Sequence, residues 1–164
     1  MKRKSWILIL AVVLLIAVLV CFVPWSEDID IAVDGYEIDP DGTVVEQQQI
    51  VLHATRYSFL LKEDVYHSVS IEIDGKVYDA SGYDSNVKII RDDSANGLYD
   101  SAHFPYFDPA QQEYLGCVVT LSSDRSWVCV RVGSAQKGSF FVGSVNESME
   151  PAQIWEICGE YMRK

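Results

Sequence analysis

The sequence predicts a mainly β protein, in which an N-terminal transmembrane helix is followed by an antiparallel β-barrel or β-sandwich with one C-terminal amphipathic helix. Three observations support this fold class. An uncharged apolar run occupies residues 6–23. Apolar and polar residues then alternate over short segments, with turn signals every ~8–12 residues. From about residue 148 onward the apolar residues recur at helical spacing.

The apolar run Trp6–Val23 predicts a membrane anchor. Its eighteen residues contain no charge, Gly or Pro. At ~1.5 Å per residue they extend over roughly 27 Å, against ~30 Å for the hydrocarbon core of a bilayer. The basic head, residues 1–5, holds Lys2, Arg3 and Lys4, and such clusters stay in the cytoplasm. We therefore predict a single-pass protein of the cell membrane, with a cytoplasmic N-terminus and the C-terminal domain outside.

A cleaved signal peptide is the alternative interpretation of the same run. The run is longer than the ~7–15 apolar residues of a typical signal, and the segment from Cys21 to Trp25 lacks the small residues of a cleavage site. Val20, which precedes Cys21, also disfavours a lipoprotein signal. An uncleaved signal-anchor is the preferred interpretation.

The rest of the chain is strongly acidic. Only three of the 13 Lys and Arg residues precede the apolar run and all 24 Asp and Glu residues follow it, so the outer part carries a formal charge of −14. An acidic surface repels phosphate backbones, and nucleic acid is therefore not an expected partner. The charge suits one exported extracytoplasmic domain that it keeps soluble.

The first part of that domain predicts strands joined by tight turns. Residues 24–34 form either an acidic tether or a first strand, and the β-domain proper is expected over residues 35–164. Asp39-Pro40-Asp41-Gly42 predicts a hairpin turn, because Pro and Gly supply the dihedral angles that such a turn needs. Thr43–Leu61 follows as one long strand or as two strands joined by a bulge.

The clearest strand signal is the alternation along Val65–Ile73. It predicts a half-buried strand with His67 on the side that faces the core. Asp74-Gly75 is a favoured two-residue hairpin turn, so Lys76–Ala80 is expected to return as the partner strand.

The middle of the chain is less regular. Val87–Arg91 predicts a short strand, and Asn96-Gly97 predicts another tight turn. Leu98–Tyr114 alternates poorly and is rich in aromatic residues, so we expect a strand followed by an aromatic loop.

A second clear hairpin joins Leu115–Leu121 to Trp127–Val132. In its register Cys117 and Cys129 point to opposite faces, which argues against a disulfide between them. Cys158 falls on the apolar face of the predicted helix, and the three cysteines together favour buried free thiols.

The last elements are a strand over Ser139–Val145 and an amphipathic helix over about residues 148–162. Pro151 suits the first turn of that helix. The apolar face of the helix is expected to rest on the sheet.

The aromatic segment is the best candidate for a ligand-binding site. Aromatic faces beside carboxylates suit sugar rings, peptides or cationic ligands. The predicted ligand-binding residues are Tyr99, His103, Phe104, Tyr106, Phe107 and Asp108. Neither a catalytic residue nor a metal ligand nor a cofactor is predicted, since no motif or spacing in the sequence indicates one.

Several short segments resemble those of one group of bacterial proteins. They are Phe59-Leu60-Leu61-Lys62, Ile71-Glu72-Ile73-Asp74-Gly75, Leu115-Gly116-Cys117, Ser123-Asp124 and Phe140-Phe141-Val142-Gly143. Together with the N-terminal span and the final helix, they resemble small uncharacterised single-pass membrane-anchored exported proteins of Gram-positive, chiefly clostridial, bacteria. The resemblance implies the topology and brings no assigned activity.

These observations predict a membrane-anchored extracytoplasmic binding or interaction module without catalytic activity. Its expected partners are the membrane and an extracellular protein or glycan. One alternative is an exported hydrolase or transferase that uses acidic residues, and another is an accessory subunit of a membrane complex. The span Trp6–Val23 contains no Gly or Ser. Because tight helix pairing in membranes usually uses small residues, the span gives the complex-subunit alternative no support.

Overall fold

A computed structural model of the chain describes residues 3–80, 86–91, 99–110, 112–134 and 137–163. Within these ranges it contains two α-helices, nine strands and one 3₁₀ turn. In chain order they are α1 (Arg3–Phe22), β1 (Trp25–Ile38), β2 (Val44–Ser58), β3 (Val65–Ile73), β4 (Lys76–Asp79), β5 (Asn86–Arg91), β6 (Tyr99–Asp108), β7 (Glu113–Ser122), β8 (Trp127–Val132), β9 (Ser139–Ser144), the 3₁₀ turn Val145–Glu147 and α2 (Pro151–Met162).

Eight of the strands close into an antiparallel barrel. The strand order is β2-β1-β9-β8-β7-β6-β5-β3, and β3 pairs back onto β2. Strand β4 lies beside β3 as the second arm of a hairpin. The mainly β prediction is confirmed, and between the two predicted architectures the barrel is the one observed. Closure pairs the strand edges that an open sheet would expose.

The apolar residues form two separate cores. One fills the barrel interior and includes Ile50, Ile71 and Val130. The other lies outside the barrel wall, where α2 packs on β8 and β9, and the rings of Phe140 and Trp155 meet there at 5.1 Å. The predicted C-terminal helix is therefore confirmed, and it covers a wall of the barrel rather than an end.

The predicted register of the β7–β8 hairpin is also confirmed. Cys117 belongs to the interior core, whereas Cys129 and Cys158 belong to the core under α2. All three are buried free cysteines. Strand alternation separates Cys117 from Cys129, as the sequence indicated.

Local turn chemistry explains the confirmed hairpins. Asp74 and Gly75 both have positive φ angles, 48° and 78°, which is the geometry of a two-residue hairpin turn. Asp39–Gly42 turns β1 into β2, with the Gly42 amide donating to the carbonyl of Asp39. Of the acidic residues 24–34, those from Trp25 onward belong to a strand rather than a tether, since β1 pairs with β2 from Trp25.

The prediction of an aromatic loop after a strand is wrong. Strand β6 is continuous and pairs with β7 along its whole length, with Pro105 opposite Gly116. Its period-two pattern is hidden in the sequence because the outward face also carries apolar residues, Pro105 and Phe107. Hydrophobicity alone does not separate the two faces of such a strand.

The expected core position of His67 is also wrong. Ser68 has a φ of 55°, and the β2–β3 register slips between His53 and Thr55. This bulge reverses the alternation of β3 on its N-terminal side. Tyr66 therefore faces the core, and His67 is half-buried against the ring of Tyr57. The predicted Asn96-Gly97 turn lies outside the described residues.

The barrel has two distinct ends. The end from which α1 departs, here the proximal end, carries the β2–β3 loop and the β7–β8 turn. The distal end carries the β1–β2 and β6–β7 turns and the C-terminal end of α2, where Arg163 donates to the carbonyl of Pro40. Over the described residues, none of the helices combines the length and the hydropathy that a membrane crossing requires.

Candidate surface groove

An open groove of about 370 Å³ lies on the outer wall of the barrel, toward the distal end. It crosses β6, β7 and β8 beside the last turn of α2. The residues that define it are His103 and Pro105 from β6, Tyr114 and Gly116 from β7, and Arg131 from β8. We call this feature the wall groove.

The floor of the wall groove is open because Gly116 has no side chain. A Cβ built at this position would find only the carbonyl oxygen of Gly133 within 4 Å, at 3.8 Å. That part of the sheet has its backbone paired, and the Gly133 amide donates to the carbonyl of Gly116 at 2.8 Å. A ligand must therefore be recognised by side chains, since strand addition needs an unpaired edge.

His103 and Tyr161 form the polar end of the wall groove. The Nε2 atom of His103 lies 2.6 Å from the hydroxyl oxygen of Tyr161 in α2. Burial of the imidazole against the helix lowers the pKa of His103, and the positive charge of Arg131 lowers it further. His103 is therefore neutral at neutral pH.

Arg131 supplies the positive charge of the wall groove. Its Nη1 donates to the backbone carbonyl of Met162, and its buried Nε has no hydrogen-bond partner among the described residues. None of the ion pairs between described residues includes Arg131. Burial lowers the pKa of Arg131, but a guanidinium stays protonated in proteins. Among the described residues, the guanidinium therefore donates to one backbone carbonyl, and its buried Nε–H group has no acceptor.

Tyr114 lines the wall groove away from α2, and Phe107 lies beside it. Phe107 and Tyr114 face each other across β6 and β7, with ring centroids 5.2 Å apart and planes at 61°. They are 50% and 59% exposed. Exposed rings on a rigid strand pair offer a flat apolar surface against which a ring of a ligand can stack.

The six predicted ligand-binding residues lie on two opposite faces of β6. His103 and Phe107 point outward, at or beside the wall groove. Tyr99 also points outward but is buried under α2, against Trp127 and Tyr161. The other three, Phe104, Tyr106 and Asp108, are buried positions on the opposite face of β6.

Tyr106 and Asp108 belong to a closed polar cluster at the distal end of the barrel. The ring of Tyr106 meets that of Tyr78 edge-on at 4.9 Å, and Lys76 Nζ lies 3.6 Å from Asp108. Asp108 also accepts a hydrogen bond from the amide of Ala110. Burial raises the pKa of Tyr106 to about 12, and the neighbouring Tyr78 and Asp108 make smaller contributions in the same direction. These groups hold the end of the barrel together.

Sequence reasoning missed Tyr114, Arg131 and Tyr161. Arg131 has a recognisable signal, because it is the one charged residue in the strand Trp127–Val132. Tyr114 is the last residue of the aromatic segment and follows the β6–β7 turn, so only strand pairing brings it to Phe107. Tyr161 comes from α2, and its approach to His103 joins residues 58 positions apart in the chain.

The three cysteines of the barrel and of α2 are buried and inaccessible. Burial raises the pKa values of Cys117 and Cys129, so both stay protonated thiols at neutral pH. Among the described residues, no group of three or more His, Cys, Asp or Glu is arranged to hold a metal ion.

Fold and groove together define a class: an antiparallel eight-stranded barrel with a helix on its wall and a cationic, aromatic groove beside that helix. Comparison with known proteins finds no family model that matches the chain, and no similar curated protein or solved structure. The resemblance to clostridial membrane-anchored proteins therefore stays a prediction.

Proposed function

We propose that the chain is a membrane-anchored extracytoplasmic binding module whose wall groove holds a carboxylate-bearing glycan. The observation that carries the proposal is Arg131, a half-buried guanidinium that lines the wall groove of an acidic protein and pairs with no carboxylate among the described residues. Guanidinium groups bind carboxylates through paired, charge-assisted hydrogen bonds.

The remaining groups of the wall groove complement such a ligand. The exposed ring of Tyr114 suits the apolar face of a sugar. His103 and the hydroxyl of Tyr161 offer hydrogen-bonding groups to sugar hydroxyls. The wide opening of the groove suits a chain that passes along the surface, rather than a small molecule enclosed on all sides.

The anchoring part of the proposal rests on α1. The helix has 20 residues, and its side chains from Trp6 to Val20 are all exposed and apolar. Because α1 by itself falls short of the length and hydropathy that a membrane crossing requires, the proposal depends on the basic head and local thinning of the bilayer to accommodate an apolar run of about 27 Å. With α1 at the proximal end, the wall groove faces away from the membrane.

A matched pair of glycans tests the proposed ligand. The probes are a short galacturonic acid oligomer and its fully methyl-esterified form, titrated against the full chain in detergent by calorimetry. We expect the acid to bind and the ester to bind at least about tenfold more weakly, because the ester loses the charge-assisted contact with Arg131. Equal affinity for the two probes, or binding of neither, would contradict the proposal.

The same titration with Arg131→Gln is expected to reduce affinity for the acid about tenfold or more. Arg125→Gln is the control, because Arg125 pairs with Glu27 at the proximal end of the barrel. An unchanged affinity in Arg131→Gln would exclude this groove as the binding site. Shortened glycan products after incubation would instead favour the exported hydrolase.

A further inference from the structure

The loop between β2 and β3 displays two leucines at the proximal end of the barrel. Leu60 and Leu61 are 57% and 67% exposed. Adjacent exposed leucines are unfavourable in water, because transfer of their side chains into an apolar environment is favourable. Their position beside the departing α1 distinguishes them from isolated surface leucines, which need no explanation.

The loop is held by specific contacts around Asp64. This half-buried carboxylate accepts hydrogen bonds from the Phe59 amide at 3.2 Å, from Ser58 Oγ at 3.2 Å and from Arg56 Nη2 at 2.6 Å. Burial opposes ionisation of Asp64, but these hydrogen bonds prevail and lower its pKa. The loop therefore presents Leu60 and Leu61 in a defined orientation.

The leucines continue an apolar surface that begins on α1. Lys62 Nζ lies 5.8 Å from the ring centroid of Phe22, at the end of α1, and 5.7 Å from that of Phe59. Exposed apolar residues at this end are Phe22, Val23, Trp25, Leu60 and Leu61, which we call the proximal patch. Helix end and loop thus share one surface.

We infer that the proximal patch is embedded in the outer leaflet of the membrane, at the boundary between headgroups and acyl chains. The inference rests on the proposed anchor, because α1 brings the patch to that leaflet. Leu60 and Leu61 enter the acyl region, Trp25 lies at headgroup level, and Lys62 meets lipid phosphates. None of the ion pairs between described residues includes Lys62, so its charge is available.

A fluorophore that reports lipid contact tests this inference on the full chain. The protein is reconstituted in vesicles of phosphatidylglycerol and phosphatidylethanolamine that contain a nitroxide-labelled lipid. The label is placed on Leu61→Cys or, as a second site, on Leu60→Cys, each in a Cys21→Ser background. The three other cysteines are buried and remain unlabelled.

Two control labels separate the loop from the anchor. Ala110→Cys reports the exposed β6–β7 turn at the distal end, and the native Cys21 reports α1. We expect strong quenching and a blue-shifted emission at residues 60, 61 and 21, with neither effect at residue 110. Because Leu60 and Leu61 are exposed, the substitutions leave both cores intact.

Three outcomes would decide between the proposals. Water-like emission at residues 60 and 61, with quenching at residue 21, would overturn the membrane-embedded loop and leave the anchor in place. Quenching at residues 60 and 61 with none at residue 21 would overturn the anchor alone. Water-like emission at all three positions would overturn both.

Discussion

At the scale of the residue, the wall groove depends on the contrast between two neighbouring basic side chains. Arg131 keeps its charge, whereas His103 has lost its own at neutral pH because burial and Arg131 both lower its pKa. A second cation therefore appears in the groove only when the pH falls below the usual range of histidine. This contrast makes the groove sensitive to acid.

His103 is expected to make binding of an anionic glycan stronger as the pH falls. Protonation adds a positive charge beside the ligand, which stays ionised down to about pH 4. The affinity of the galacturonic acid oligomer should therefore rise between pH 7.5 and pH 5, and His103→Gln should remove this rise. Calorimetric titrations at the two pH values measure it. A pH dependence that persists in His103→Gln would assign it to another group.

The lowered pKa of His103 also makes the folded protein less stable in acid. The folded state holds His103 at a lower pKa than the unfolded chain does, so acid favours the unfolded state. The stability that depends on neutral His103 is present above the unfolded pKa of ~6.5 and is lost as the pH falls through the lower folded value. A bound anion opposes this loss.

At the scale of the element, closure of the barrel depends on the contact between β1 and β9. These strands pair only over Gly35–Ile38 and Phe140–Gly143, and Gly35 lies directly opposite Gly143. A Cβ added at Gly143 would overlap the side chain of Val33, and one added at Gly35 would overlap that of Ile50. Two glycines are therefore needed where the first and last strands meet.

Gly143→Ala is expected to destabilise the protein by about 1–3 kcal/mol, because the added methyl group overpacks the interior core. Urea unfolding of the full chain, followed by tryptophan fluorescence, measures the change in midpoint. Gly116→Ala is the matched control, since an added Cβ there meets only the Gly133 oxygen at 3.8 Å. Equal midpoints for the two variants would show that the contact between β1 and β9 tolerates an added methyl group.

At the scale of the whole molecule, the apolar and the ligand-binding surfaces lie toward opposite ends of the barrel. The apolar helix and the proximal patch lie at one end, and the wall groove lies toward the other. In the proposed orientation the acidic barrel separates the ligand from the membrane surface. That arrangement suits a protein that holds an extracellular glycan close to the cell.

The orientation is tested by labelling intact cells of a host without an outer membrane. A membrane-impermeant maleimide should modify Ala110→Cys on intact cells and Ser5→Cys only after lysis, both in the Cys21→Ser background. This result is expected because basic residues at the N-terminus stay in the cytoplasm. Labelling of Ser5→Cys on intact cells would reverse the topology. Recovery of the barrel in the culture medium would support a cleaved signal.

Local patterns were sufficient to predict most of the elements. The Asp74-Gly75 turn, the opposite faces of Cys117 and Cys129 and the helix after Glu150 all depend on residues close together in the chain. Each is encoded by turn chemistry or by a period of two or 3.6 residues. Such signals are readable from one sequence because they need no distant partner.

The barrel and its groove depend instead on distant pairing. Closure requires β3 to return to β2 and β1 to meet β9, and no local pattern specifies either contact. The bulge at Ser68 moved His67 away from the core, and pairing with β7 turned the expected aromatic loop into a strand. Tyr114, Arg131 and Tyr161 join His103 only after three strands and α2 have assembled, because a side chain's neighbours are set by packing rather than by its place in the chain.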